Sequence, residues 1–204
     1  MSTLKMTHAV STHEGTIIGN PPITRFIFDD TRFSAVWLVV RVLVGWPWLQ
    51  AGWTKLGESG WMGDGSALKG FWETVLGISN GKPLPSYNWY ESFIQTLYNA
   101  GAWTWFSKLV VFGELTVGIL LILGAFTGIA AFLGSFMNWN YVMAGVASTN
   151  MFLFAFAVLL ILAWKTAGYY GLDRFLLPRL GTPWRYHREV IPPSVPVQPA
   201  TENA

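Results

Sequence analysis

The chain of 204 residues contains no cysteine. This absence excludes disulfides, thiolate-bound metals and iron–sulfur clusters held by this chain, as well as cysteine-persulfide chemistry. The three histidines, His8, His13 and His187, all lie outside the long hydrophobic segments. A haem held inside a membrane by histidines of this chain is therefore also excluded. We expect no haem, metal or iron–sulfur centre, so any redox centre must be diffusible or borrowed from another subunit.

Charged residues are scarce as well. Only 12% of the residues are Asp, Glu, Lys or Arg, whereas an average soluble protein has about 25%. Hydrophobic residues make up 52% of the chain, with 12 Trp and 14 Phe, which is typical of a membrane protein. The net charge of +2 is spread along the chain, so we expect no nucleic-acid partner.

Four hydrophobic runs are long enough to be candidate membrane spans, since a helix needs about 20 mostly apolar residues to cross the hydrocarbon core. They cover residues 33–55, 105–123, 128–146 and 150–167. The sequence predicts an all-α integral membrane protein, with a four-transmembrane-helix bundle over residues 33–180. We expect residues 1–32 to be polar, without a signal peptide and partly disordered, and the Pro-rich residues 181–204 to form a disordered tail.

The positions of lysine and arginine predict the orientation, because cytoplasmic loops are enriched in both. Basic residues flank the outer two spans, and the two short turns between spans carry none. We therefore expect a multi-pass protein with both termini in the cytoplasm and the long loop 56–104 outside. The flanking basic residues are Lys5, Arg25 and Arg32 before the first span, and Arg174, Arg179, Arg185 and Arg188 after the last.

The long loop contains two apolar stripes at helical spacing, which predict two short amphipathic helices on the outer face. They could form a simple cap or the lid of a site, and amphipathicity alone does not decide between these. The stripes are Leu68, Phe71, Trp72, Val75 and Leu76, followed by Tyr90, Phe93, Ile94, Leu97 and Tyr98.

Two charged residues lie near the middle of the spans. Arg41 is in the first span and Glu114 is in the second, each within about one helical turn of the expected midplane. Placing a charged side chain inside a membrane costs free energy, so such a residue is a candidate functional residue by default. We predict an Arg41–Glu114 contact, either as an ion pair that fixes helix register or as a polar site for a quinone carbonyl or a proton.

A proline and several polar or aromatic residues mark the outer half of the membrane. Pro47 removes a backbone hydrogen bond within the first span, and a kink beside stacked indoles suits a flat ring such as a quinone. We therefore expect quinone to bind near this proline and a polar residue of the third span. The candidates are Trp46, Trp48, Gln50, Trp53 and Asn138.

Lys55 ends the first span, where an ordinary lysine extends to the lipid headgroups. Glycines in the second and third spans permit close helix approach without indicating any chemistry. They are Gly113, Gly118, Gly124, Gly128 and Gly134.

The order and spacing of five short motifs resemble the DoxX/DoxD family of four-helix membrane proteins. They are RVLVG at 41–45, GWTKL at 52–56, GELTVG at 113–118, LGAFT at 123–127 and GYYGLDR at 168–174. The Trp-rich insert before the second span resembles the thiosulfate:quinone oxidoreductase large-subunit branch. This resemblance implies a prokaryotic plasma-membrane subunit that passes electrons from thiosulfate, yielding tetrathionate, to membrane quinone. It also places the family arginine and glutamate on Arg41 and Glu114 as catalytic residues, and its lysine on Lys55, where the substrate anion would approach.

Two further interpretations remain open at this point. The chain could be a non-catalytic accessory subunit of a larger respiratory or redox-stress complex, in which Arg41 and Glu114 only fix helix register. A transporter is a third possibility, although no paired broken helices or inverted repeats are evident. The expected partners are membrane lipid, quinone and a partner subunit or further copies of the chain.

Overall fold

The computed structural model describes residues 9–11, 17–19, 21–85, 87–146 and 149–181. These residues are almost entirely helical. In chain order the elements are β1 (Ala9–Ser11), β2 (Ile17–Gly19), α1 (Pro22–Asp29), a 3-10 turn (Thr31–Phe33), α2 (Ser34–Leu56), α3 (Ser59–Met62), α4 (Ser66–Val75), α5 (Asn88–Asn99), α6 (Trp103–Leu123), α7 (Thr127–Met143), α8 (Asn150–Leu162), α9 (Trp164–Ala167) and α10 (Asp173–Arg179).

Two of the described helices are long and apolar enough to cross a membrane. One is α2 with the preceding 3-10 turn, over 26 residues, and the other is α6, with 21 residues. The next two helices, α7 with 17 residues and α8 with 13, are shorter than the expected third and fourth spans. The fourth expected span, 150–167, is interrupted at Ala163 and continues as the short helix α9.

Helices α2 and α6 pack against each other in an antiparallel arrangement at close range. Gly45 lies against Leu121, whereas Gly52, farther along α2, lies against Leu115. A Cβ atom at Gly118 would be 2.5 Å from the backbone nitrogen of Leu49. Glycine at these positions therefore lets the two backbones approach to a distance that larger residues would prevent.

An apolar core joins α2 and α6 to α7, α8 and α9. Its buried members are large side chains of α2, α6 and α8 set against alanines of α7, α8 and α9. The small residues allow the shorter helices to pack closely on the longer pair. The core residues are Trp37, Val44, Trp48, Val117, Leu121, Ala130, Ala131, Ala157, Leu160, Ala163 and Ala167.

The loop between α2 and α6 folds into α4 and α5 where the two amphipathic helices were expected. Their apolar stripes are turned inward, with Leu68, Trp72 and Val75 of α4 and Tyr90 and Ile94 of α5 all buried. They form a second apolar cluster with the ends of α6 and α7. The loop is therefore a folded cap that covers one end of the long helices.

The described residues before α2 include two short strands and a helix. Strands β1 and β2 form a short antiparallel pair within the first 20 residues. Helix α1 then packs on α2, where the indole N–H of Trp37 donates to the carbonyl of Ile27 at 2.9 Å. Lys165 of α9 also contacts Asp29 at 3.2 Å. The expected disordered tail lies outside the described residues beyond Gly181.

Candidate functional site

An ion pair inside the helical core links α2 to α6. The ammonium of Lys55, one residue before the end of α2, lies 2.7 Å from both carboxylate oxygens of Glu114. The side chain of Lys55 retains 18% exposure, and that of Glu114 retains 1%. Lys55 therefore points inward to a buried carboxylate, while part of its side chain still reaches the surface.

Glu114 has a second partner on a third helix. The hydroxyl of Tyr141 on α7 donates to Oε1 of Glu114 at 3.0 Å. The Tyr141 ring packs between Phe71 of the cap and Trp48 of α2, with centroid separations of 6.3 and 6.5 Å. The cap thus holds the tyrosine in place, and the polar chain Lys55–Glu114–Tyr141 crosses three helices. Sequence reasoning missed Tyr141, although it lies three residues after Asn138 and so on the same helical face.

The expected contact between Arg41 and Glu114 is not formed. Arg41 lies 14 residues before Lys55 in α2, which corresponds to about 21 Å along the helix axis. It is level with Gly124 at the far end of α6, while Lys55 meets Glu114. The two charges selected from the sequence therefore belong to separate sites.

The reason for this difference is the offset between the two helices. The expected contact assumed that both spans begin and end at the same depth. Instead, the first turns of α6 extend past the end of α2 and pack on α3 and α4. Gly65, which precedes α4, lies directly against Trp103 at the start of α6. This shift places Glu114 opposite the last turns of α2.

Arg41 is fully buried at the other end of the core. Its Nη2 donates to the backbone carbonyl of Tyr170 at 2.9 Å. Gly124 and Gly171 enclose the guanidinium so tightly that a Cβ at Gly124 would overlap it. Arg41 thus packs against the turn between α6 and α7 and fastens α2 to the segment that precedes α10.

Asp173, a buried carboxylate missed as a site residue, completes this second polar cluster. It accepts hydrogen bonds from the backbone N–H groups of Phe126 and Thr127 at the start of α7. Its own N–H donates to the carbonyl of Gly124 at 2.8 Å. A carboxylate in this position satisfies free N–H groups and the dipole at a helix N-terminus. The only sequence signal for it was its place in the GYYGLDR motif.

The residues expected to bind quinone are divided between two sides of α2. Trp46 and Trp53 face outward, with 59% and 70% exposure, while Trp48 is buried in the core. Asn138 of α7 is also fully buried in the core. Gln50 is exposed on another face of α2 and lines a surface groove. The five residues do not form one pocket.

The groove runs along the C-terminal half of α2 and has a volume of about 400 Å³. Its floor is a stripe of α2 residues at helical spacing, and its end is closed by α3. Lys55 reaches it from the side, with its ammonium 5.1 Å from the centre of the Trp61 ring. The groove therefore connects directly to the Lys55–Glu114–Tyr141 chain. The lining residues are Pro47, Gln50, Ala51, Thr54, Lys55, Glu58 and Trp61.

With this geometry established, the chain can be compared with known proteins. The DoxX family profile matches residues 36–146, which is more than half of the chain. The chain belongs to the DoxX family. No curated protein and no solved structure matches it. It is a DoxX family membrane protein, and this family is often linked to redox or quinone-related functions.

The DoxX match runs from α2 to the end of α7. It therefore includes Lys55, Glu114 and Tyr141, together with Arg41 and the whole folded cap. Asp173 lies beyond the matched residues, although its contacts hold the start of α7 in place.

Proposed function

We propose that this DoxX protein is a membrane subunit of a quinone-linked oxidoreductase that passes electrons from thiosulfate to membrane quinone. The observation that carries this proposal is the chain Lys55–Glu114–Tyr141, which joins an outer groove to a buried carboxylate. Two thiosulfate ions would form one S–S bond, giving tetrathionate and releasing two electrons. One quinone would accept these electrons with two protons and leave as quinol.

The proposal places the protein in a prokaryotic plasma membrane with four spans, formed by α2, α6, α7, and α8 together with α9. The outward faces of the two shorter spans support this arrangement, because Phe132 and Phe136 of α7 and Phe152 and Phe156 of α8 are exposed. Large apolar side chains on the outside are expected where lipid surrounds a helix. With both termini in the cytoplasm, the groove and the cap lie at the outer surface.

The residues of the groove fit a quinone ring. The groove is shallow and open to the surface, with a volume of about 400 Å³, so it would hold a quinone ring by one face. Gln50 and Lys55 offer N–H donors for carbonyl oxygens, and Trp61 offers a flat apolar face. A bound quinone would supply two-electron chemistry that this chain, without cysteine or a membrane histidine, does not contain in its own residues. We assign Trp46 and Trp53 to the lipid-facing approach to this groove.

Lys55 and Glu114 are suited to hold and move protons beside the groove. Within the described part of the chain, Lys55 both contacts Glu114 and lines the groove. Glu114 is fixed between an ammonium and the hydroxyl of Tyr141, so a proton can pass between the three groups without rearrangement of the helices. Arg41 is about 21 Å from Lys55 along α2. We therefore assign Arg41 a structural role and no role in proton transfer.

The choice of thiosulfate as the electron donor rests on the resemblance to one branch of the family. Lys55 remains the candidate for attracting this anion, but it would have to share its charge with Glu114. A second cation at this end, Lys108, is also occupied, since it donates to the carbonyls of Gly63 and Thr104. We therefore propose that a partner subunit supplies most of the anion site.

Turnover of the purified protein tests this proposal. The protein, taken from its native membranes with its companions, is assayed in lipid nanodiscs for thiosulfate-dependent reduction of a soluble quinone analogue. We expect Glu114→Gln to lower the rate by about 100-fold or more, as for loss of a proton-transfer group. Glu91→Gln, which removes a carboxylate from the cap helix α5, is the matched control and should retain full activity. Wild-type activity in a folded Glu114→Gln protein would refute the role of Glu114.

A second candidate function is that of a non-catalytic accessory subunit. The observation that favours it is a cluster of stacked rings on the outer surface, formed by Phe136 and Trp139 of α7 and Trp89 of α5. Trp139 stacks on Trp89 at 6.2 Å and on Phe136 at 5.9 Å, and all three rings are exposed. In this case the protein would copurify with other subunits, and Glu114→Gln would alter stability without altering the turnover of the complex.

A further inference from the structure

Seven of the described residues have buried side-chain atoms without a hydrogen-bond partner, and three of the seven lie near one another on α7 and the side of α2 that faces it. They are Asn138, with both its amide nitrogen and its amide oxygen, Trp48, with its indole nitrogen, and Ser135, with its hydroxyl. All three residues are buried, and Asn138 is not exposed at all. Turning the amide of Asn138 over would exchange its nitrogen and oxygen without giving either a partner.

These side chains lie together on one face of α7 and the facing side of α2. Gly134, Ser135, Asn138 and Tyr141 follow one another at helical spacing along α7. The Trp48 indole extends along this face, since its ring is 6.5 Å from that of Tyr141. A Cβ atom at Gly134 would lie 3.3 Å from its indole nitrogen. The unpartnered atoms therefore lie along one face of α7, within about two turns of Tyr141, which contacts Glu114.

We propose that this region is a hydration site, in which Trp48, Ser135 and Asn138 bind water inside the helical core. Buried amide, indole and hydroxyl groups in proteins almost always have partners, and ordered water fills this role where protein groups do not. The region offers N–H and O–H donors together with a carbonyl acceptor, so a water molecule there can make several hydrogen bonds. Gly134 provides space beside the indole that any larger residue would reduce.

Hydration at this position gives Glu114 a polar neighbour on its inner side. Lys55 and Tyr141 approach the carboxylate from the groove and from α7, while the proposed water extends the hydrogen-bonded chain deeper into the core. If the proposed function is correct, which this role requires, the site would hold a proton close to Glu114 between turnovers. The binding of water itself does not depend on quinone reduction, so the two ideas can fail separately.

X-ray footprinting tests the hydration site in the complete protein in nanodiscs. Radicals produced from bound water oxidise nearby side chains, even where bulk solvent has no access. Trp48 and Trp37 are a matched pair on α2, because each has 4% exposure but only the Trp37 indole is hydrogen-bonded within the protein. We expect Trp48 to be oxidised several times faster than Trp37. Asn138→Leu, which removes both amide partners of the water, should lower the rate at Trp48 to that of Trp37.

Equal oxidation of Trp48 and Trp37 in the wild-type protein would overturn the proposal, whatever the fate of the variant. If Asn138→Leu does not fold, Ser135→Ala replaces it, and the rate at Trp48 should fall while that at Trp37 is unchanged. An unchanged rate at Trp48 in the folded variant would also contradict the proposal. If the protein purified with its companions shows no thiosulfate-dependent turnover but Trp48 is still labelled faster than Trp37, the proposed function is rejected and the hydration site is retained.

Discussion

The ammonium of Lys55 lies 2.7 Å from each carboxylate oxygen of Glu114 and joins the last turn of α2 to the middle of α6. Because Glu114 is buried, its charge depends on this lysine and on the hydroxyl of Tyr141. The same lysine lines the outer groove. A change at Lys55 should therefore affect both the stability of the helix pair and the chemistry at the groove.

Lys55→Met is expected to destabilise the protein because it leaves Glu114 charged and without its cation. Removing one partner of a buried pair costs about 3–5 kcal/mol, and we expect the lower end because Lys55 is partly exposed. The double variant Lys55→Met/Glu114→Gln should recover much of the loss. Thermal unfolding in one detergent measures Lys55→Met, Glu114→Gln and the double variant, and effects that simply add would show that the two residues are not coupled.

Gly124→Ala is expected to prevent correct folding of the Arg41 cluster. Gly124 has a φ of +66°, and a Cβ there would overlap the guanidinium of Arg41. Gly70→Ala in α4 is the control, because a Cβ at that position meets nothing within 4 Å. The control should be neutral or more stable by up to about 1 kcal/mol. The two glycine variants are compared by their unfolding temperatures and by their yields on detergent extraction. Equal temperatures and yields would mean that the packing around Arg41 is not essential.

Asp173→Ala should weaken the start of α7. The carboxylate accepts the N–H groups of Phe126 and Thr127, and loss of such a cap costs about 0.5–2 kcal/mol. Asp173→Asn keeps an acceptor for only one of the two N–H groups and turns an amide N–H toward the other, so it should also destabilise the start of α7. Hydrogen exchange at residues 126–130 reports the change, and unchanged protection in Asp173→Ala would argue against the capping role.

The hydrogen bond by which Tyr90 connects the cap to α7 should contribute the same stability at every pH in the physiological range. Its hydroxyl donates to the carbonyl of Asn140 at 3.0 Å, and burial raises the pKa of Tyr90 to about 12 from 10.0. Because this pKa is raised, the stabilisation from the neutral hydroxyl is complete below pH 10 and declines between pH 10 and about 12. Tyr90→Phe should cost about 0.5–1.5 kcal/mol at neutral pH.

The exposed residue Tyr87 provides the control for Tyr90, and Tyr87→Phe should leave the unfolding temperature unchanged. The difference between Tyr90→Phe and the wild type should be constant through neutral pH and become smaller above pH 10. A difference that already varies near neutrality would mean that another group governs the contact.

The cap helices illustrate what could be predicted from the sequence. The spacing of Leu68, Trp72 and Val75 predicted an apolar helix face, and all three residues are buried in α4. Periodicity is a local property, so it is visible without a partner. The glycines of α6 likewise predicted close packing, and Gly118 does lie against the backbone of α2. Neither pattern indicates which residue of another helix stands opposite.

The register of α2 on α6 is the part that could not be predicted. The pairing of Glu114 with Lys55 instead of Arg41 follows from Gly52 packing on Leu115. Hydropathy specifies the length of a span but not its shift along a neighbour, and α6 extends beyond α2 because the cap binds its first turns. Asp173 was missed for a similar reason, since its contacts with Phe126 and Thr127 join segments that are far apart in the sequence.

Photolabelling with an azido-quinone tests most directly whether the groove beside Lys55 binds quinone. The protein in nanodiscs is irradiated with the probe, and adducts are located by mass spectrometry with and without excess unlabelled quinone. Our account predicts competed adducts at residues 47–61, around Gln50, Lys55 and Trp61, and weaker labelling of this segment in Lys55→Met. Adducts confined to other parts of the protein, or labelling of residues 47–61 that excess quinone does not reduce, would contradict it.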